Sequence, residues 1–159
     1  MDRRFIIRPA EPHEMAVIAA LFREYAASLA VDLSYQQFEA EVAALPGPYV
    51  PPAGALLLAV SPVDEPLGCV ALRPLAEPGA CEMKRLYARP AARGTGVGHA
   101  LAVAAVQAAT AAGYRTMCLD TLPTMHTAQA LYRRLGFEIT PPYYDTPVAG
   151  TIFMRKMLP

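Results

Sequence analysis

The sequence predicts an α/β chain of the mixed α+β kind: a seven-stranded, mostly antiparallel sheet with a central parallel strand pair and helices on both faces. Three observations carry this. Strand-like and helix-like segments alternate in the order β-α-α-β-β-β-α-β-α-β-β. The middle of that series is strand, helix, strand, a crossover that joins parallel strands, and the hairpins on either side join antiparallel ones. With 159 residues, 54% hydrophobic and 18% charged, the chain is apolar enough for a full core and is expected to form a single domain over 1–159.

Each element follows from its own residues. "FIIRP" (5–9) is a strand stopped by Pro9. In the next segment Met15, Ile18, Leu21, Phe22 and Tyr25 recur at helical spacing. "SYQQFEAEVAAL" (34–45) predicts a second helix, with Ser34 and Gln37 in a capping-box pattern and "PGP" closing it. "GALLLAVS" (54–61) and "LGCVALRPL" (67–75) flank a turn-like cluster and read as a hairpin, and "ACEMKRLYA" (80–88) is a further strand. An Ala-rich helix (98–113) stops at Gly113, a good residue just past a helix end. A strand (114–122) and a helix (about 124–135, ended by Gly136) follow, then two strands, "FEITPPYY" and "GTIFMRKML", around the linker "DTPVAG".

Charge and composition exclude several function classes. Fourteen basic residues balance 14 acidic ones, so no strong field for a nucleic-acid backbone is expected. No apolar run reaches the roughly 20 residues of a membrane helix, and "MDRRFIIRP" lacks an export region. A cytoplasmic protein with no membrane and no nucleic-acid partner is expected. Cys69, Cys81 and Cys118 lack metal-ligand spacing and sit in apolar strands, which predicts buried free thiols. His13, His99 and His126 have no spacing that suggests zinc, so no metal is expected; His99 is either solvated or a phosphate contact. The pairs Arg3–Arg4 and Arg133–Arg134 read as exposed faces.

The stretch "ARPAARGTGVGHAL" (88–101) places Gly94, Gly96 and Gly98 behind Arg93, between a strand and a helix. Such a junction presents unpaired backbone N–H groups at a helix N-terminus, where an anion is favoured. Glycines let a phosphate approach the backbone. The Walker pattern is absent, and a Rossmann fingerprint would need glycine where His99 stands. The remaining alternative is a tight strand-to-helix turn whose glycines serve packing alone.

The surrounding residues decide between these. Arg93, Gly96 and Gly98 resemble the core [RQ]-x-x-G-x-[GA] of the acetyl-coenzyme A loop of the GNAT superfamily of N-acetyltransferases. "TAQALYRRLGF" resembles the same family's A-x-x-L-Y-x-x-x-G-F through Ala128, Leu131, Tyr132, Gly136 and Phe137. The likeness covers roughly residues 80–140; before residue 80 it is one of element order.

The resemblance implies a set of roles. The coenzyme's pyrophosphate rests on the backbone of Arg93, Gly94, Thr95, Gly96, Val97 and Gly98. Its pantetheine arm lies along Leu86, Tyr87 and Ala88 like an extra strand. A bulge splaying the parallel strands would make room, and nothing in the sequence marks one. Tyr132 is the general acid for the leaving thiolate, the alternative being a core tyrosine packed with Leu131 and Leu135. Glu82 is the candidate base for the amine, the alternative being a solvent-facing strand Glu paired with Lys84 or Arg85. Asp120 and Asp145 rank below Glu82 as bases and are candidate anchors for a cationic substrate, and Tyr143 and Tyr144 are candidate walls of the amine pocket, the alternative being packing at a strand end. Where the family often has Asn, this chain has Met125, so that contact is lost or replaced by Thr124 or Thr127.

Two functions from different classes follow. One is acetyl transfer from acetyl-CoA, as co-substrate, to a primary amine of a small molecule or peptide. The other is a non-catalytic acyl-CoA sensor, for which the loop alone would suffice; Tyr132 favours the enzyme. The family's edge strands often pair between subunits, so a homodimer is expected, and the apolar terminal strand is expected to be buried.

Overall fold

The computed structural model describes residues 4–159. The elements are β1 (Ile6–Pro9), α1 (Met15–Ser28), α2 (Phe38–Ala43), β2 (Ala55–Val60), β3 (Pro66–Pro74), β4 (Ala80–Ala88), α3 (Val97–Ala111), β5 (Thr116–Thr121), α4 (His126–Arg134), β6 (Glu138–Ile139) and β7 (Ile152–Met157). Their order is the one the sequence predicts. The strands form one seven-stranded sheet in the order β1-β2-β3-β4-β5-β7-β6. Only β4 and β5 are parallel; every other pair is antiparallel. Of the basic pairs, Arg4, Arg133 and Arg134 are exposed, and Arg3 lies outside the described residues.

Alternation along the strands makes two cores. Leu57, Val70, Leu72, Met83, Met117 and Leu119 face α3 and the Leu131–Phe137 end of α4. Leu56, Leu58, Cys69, Ala71 and Tyr87 face α1 and α2. The helix α3 buries Val97, Leu101, Ala102, Ala105 and Ala109, and the three alanines let its axis lie close to the sheet. On the other face Ile18, Leu21 and Phe22 are fully enclosed, each burial contributing ~1.5–3 kcal/mol. The three cysteines are buried free thiols, as expected.

Two segments differ from expectation. The segment 34–45 is not one helix. Asp32 accepts the Ser34 N–H (2.8 Å), which caps a 3-10 turn over Leu33–Gln36, and Gln37 then takes a left-handed φ of 55°. The predicted Ser34–Gln37 capping box therefore does not form, and α2 is only a short helix beyond the break. The strand in "FEITPPYY" lasts two residues, Glu138–Ile139. Pro141 and Pro142 have no N–H to give a ladder. The terminal strand β7 is buried within its own chain, between β5 and β6. Among the described residues, no helix is long and apolar enough to cross a membrane.

One irregularity shapes everything that follows. Cys69 stands opposite Tyr87, but Ala71 stands opposite Lys84. One residue of β3, Val70, thus faces two of β4, Arg85 and Leu86, which is a β-bulge. Arg85 carries the left-handed conformation, φ 60°, at a cost of ~1–2 kcal/mol for a residue with a side chain. The parallel pairing of β4 with β5 covers only Ala80–Glu82 against Thr116–Cys118. Beyond it the two strands part. The splay expected on family grounds is present, and Leu86, inside the bulge, has no register partner on either side.

Candidate active site

The loop between β4 and α3 leaves several backbone amides free where it enters the helix. Gly94 and Gly96 have φ values of 80° and 90°, which only glycine adopts without strain. A Cβ added at Gly94, Gly96 or Gly98 would meet nothing within 4 Å. Open space therefore lies over the first turn of α3. The backbone N–H groups of Gly94, Gly96, Val97, Gly98 and His99 have no acceptor among the described residues. Thr95 is exposed, and its hydroxyl and its N–H both donate back to the Ala92 carbonyl. Arg93 is exposed and its Nε donates to the Ala88 carbonyl (3.3 Å). Five free donors at the positive end of a helix dipole fit a diphosphate.

An open cleft of about 660 Å³ runs from this loop along Leu86, Tyr87 and Ala88 to the start of α4, where Thr124, Met125 and Thr127 line it. The Tyr87 side chain points to the opposite face, where its hydroxyl approaches Glu24 at 3.4 Å. Met125 borders the cleft with a thioether in place of an amide, between Thr124 and Thr127.

A second pocket lies on the far side of the splay. Leu33, Tyr35, Gln36, Lys84, Asp120 and Tyr132 line it, and it meets the cleft at Tyr25, Leu86 and Met125. Tyr132 comes from the α3 face, on a helix whose Leu131 and Tyr132 are both buried. Its ring packs edge-on against Phe137 at 5.9 Å. The hydroxyl bonds to no other described residue. Burial pushes this phenol well above the usual tyrosine range. The neutral phenol is thereby favoured, and its hydroxyl is free to donate. Nearby Tyr25 is raised by burial to about 12. The Thr121 hydroxyl is buried at the same pocket with no partner.

The expected acidic residues separate into three situations. Glu82 is fully buried. Its Oε1 accepts from Arg73 Nε (2.8 Å) and its Oε2 accepts from the Tyr143 hydroxyl (2.5 Å). It is neither solvent-facing nor paired with Arg85; Lys84 Nζ stands at 3.9 Å. Asp120 lines the pocket, with Oδ2 accepting from the Tyr144 hydroxyl and Oδ1 free of any described donor. Asp145 is exposed, makes no side-chain bond among the described residues and borders neither cavity. Tyr143 and Tyr144 stack edge-on with each other and with Phe153 of β7, at 5.1–5.6 Å. Burial first, then the neighbouring carboxylates, raise both phenols. They hold the two acids rather than forming a free aromatic wall.

Sequence reasoning missed four contributors. Arg73 holds Glu82. Arg85 Nε and Nη2 donate to both oxygens of Glu41 (2.9 and 3.0 Å), fastening the bulge to α2. Lys84 Nζ donates to Gln36 Oε1 (3.3 Å) in the second pocket. Tyr25 joins the two cavities. The available signal was the alternation of Glu82 and Lys84, which puts two opposite charges on one strand face beside an apolar helix.

Comparisons with known proteins agree with this geometry. A model of the acetyltransferase (GNAT) family matches residues 18–137. An uncharacterised N-acetyltransferase of Schizosaccharomyces pombe is 40% identical over 144 residues, 91% of this chain and 88% of the relative. A solved structure from Klebsiella pneumoniae, described as a candidate acyl-CoA N-acyltransferase, is 30% identical with a TM-score of 0.76 over 99% of each chain. A Sinorhizobium meliloti phosphinothricin acetyltransferase solved with acetyl-CoA shares the fold, at 22% identity, a TM-score of 0.75 and coverage of 98% and 89%. The family match and the relatives named as N-acetyltransferases decide for an enzyme over a sensor. The chain belongs to the GNAT family of acetyltransferases and is an acyltransferase.

Proposed function

We propose that this enzyme moves the acetyl group to the primary amine of a small molecule or peptide by direct attack, with no acyl-enzyme stage. The observation that carries the proposal is that Tyr132 and Asp120 line one pocket, and this pocket opens into the coenzyme cleft at the splay. Acetyl-CoA supplies the activated acyl thioester.

The chain's own groups do the rest. The free amides of Gly94, Gly96, Val97, Gly98 and His99 bind the diphosphate. Leu86, unpaired in register, offers backbone N–H polarisation to the acyl carbonyl, and preorganised donors of this kind are usually a large term. The Tyr132 hydroxyl donates toward the leaving sulfur. A phenol near 10 already lies ~1.5 units above a thiol near 8.5, and burial widens that gap. Proton transfer therefore relies on the sulfur being equally desolvated, so that its own basicity rises too.

An alkylamine with pKa about 10 arrives as an ammonium at pH 7. Asp120, with one oxygen open to the pocket, is favoured over Glu82 for meeting that charge and taking its proton. Glu82, with both oxygens held, enters as a positioning residue for Tyr143 and the linker before β7.

The test is thiol release from acetyl-CoA with an amine panel, with the product identified by mass spectrometry. Asp120→Asn should lower kcat/KM by ~100-fold with coenzyme binding intact, and Glu82→Gln by less. An O-acetyl or S-acetyl product, or no turnover with any amine, overturns the proposal. A folded, coenzyme-binding Glu82→Gln that is dead beside an active Asp120→Asn exchanges the two roles.

A further inference from the structure

The acceptor pocket carries two opposite charges that do not meet. Asp120 stands on β5 with one carboxylate oxygen open. Lys84 stands on β4, its side chain 10% exposed. The structure contains no ion pair between them. Lys84 is also poorly matched by its neighbours. Gln36 Oε1 accepts one of its three N–H groups at 3.3 Å. Glu82 Oε1 lies 3.9 Å away, and that oxygen is already taken by Arg73 at 2.8 Å. One carboxylate thus serves two cations, Arg73 and Lys84. Arg85 contributes no surplus, because Glu41 neutralises it.

The outcome is a positive and a negative charge that line one pocket from the neighbouring strands β4 and β5, each with an unfilled hydrogen-bonding position. Burying an ammonium without a full partner is costly, and desolvation pushes the Lys84 amine downward. A ligand that brings an anion to Lys84 relieves that cost. Resting on the proposed amine acetylation, we infer that the acceptor carries a carboxylate as well as its amine, with Lys84 binding the carboxylate and Asp120 the amine. The substrate class is then free amino acids. Polyamines and aminoglycosides, whose further positive charges would face Lys84, are disfavoured.

The test compares α-, β- and γ-amino acids with their own carboxamides, which keep size and shape and lose only the negative charge. The amides have the less basic and more available amine, so any preference for the acid runs against intrinsic reactivity. Wild-type enzyme should prefer at least one acid over its amide by tenfold or more in kcat/KM, mostly through KM. Lys84→Met should bring that ratio toward one, and Lys84→Arg should restore much of it. Equal use of acid and amide by the wild type, faster turnover of polyamines than of any amino acid, or an unchanged ratio in Lys84→Met would overturn the inference. The wild-type ratio stands as a test even if Lys84→Met fails to fold. Turnover of neutral amines alone removes this inference and leaves amine acetylation standing; no turnover of any amine removes both.

Discussion

Arg85 and Glu41 form a two-point ion pair, Nε and Nη2 to the two carboxylate oxygens at 2.9 and 3.0 Å, with the guanidinium 5.2 Å from the centre of the Phe38 ring. The residue that bends β4 out of register is therefore fastened to the helix beside the acceptor pocket. The bulge residue thus anchors α2, which follows directly on the turn from which Gln36 approaches Lys84.

Removing one member of this pair leaves the other charge buried. Arg85→Met should cost ~3–5 kcal/mol in chemical denaturation. Glu41→Gln, which keeps one acceptor, should cost less. Both should raise KM for the acceptor more than they change coenzyme affinity. Wild-type stability in Arg85→Met would show that the pair does not hold the bulge.

Tyr132→Phe removes a hydroxyl that bonds to no other described residue, so stability should change by only about 0.5 kcal/mol. Turnover should fall ~10²–10⁴-fold, almost wholly in kcat. Coenzyme affinity measured on the variant should stay within about twofold of the wild type. A variant that loses affinity but keeps kcat would make Tyr132 a packing residue.

The three thiols bear on any assay that reads released thiol. Burial pushes Cys69 and Cys81 up to about 12 and raises Cys118 as well. Only the thiolate reacts, and at pH 8 a thiol of pKa 12 is ionised in about one molecule in ten thousand. Ellman's reagent should find essentially no thiol in native protein at pH 8 and all three after guanidinium unfolding. The ionised fraction rises tenfold per pH unit up to about 12, so any native reactivity should grow with pH. Fast labelling at pH 8 would contradict the burial.

Much of the fold was legible because its signals are local. Apolar periodicity placed Ile18, Leu21 and Phe22 inward, and glycines marked the ends of α3 and α4. The anion loop was legible too, since bare amides need glycine at Gly94 and Gly96. The bulge was not: left-handed backbone usually advertises itself by glycine, and here the position is Arg85, held by a Glu 44 residues away. The same distance problem hid the site's polar partners. Glu82 with Arg73 and Tyr143, and Asp120 with Tyr144, are contacts across strands and linker that no spacing rule reports. The break at Gln37 escaped because Asp32, just outside the helical pattern, outcompetes Ser34 as the cap.

The account's central claim is that coenzyme diphosphate sits on the free amides at the start of α3. Gly98 isolates it. The residue is helical, and a Cβ there meets nothing within 4 Å. Gly98→Ala should therefore leave the protein as stable or up to ~1 kcal/mol more stable, while placing a methyl group in the space the diphosphate needs. Calorimetric titration of coenzyme A should show one site in the wild type and at least tenfold weaker binding in a Gly98→Ala protein of equal or higher Tm. Equal affinity in the two proteins, or no binding to the wild type at millimolar coenzyme A, would contradict it.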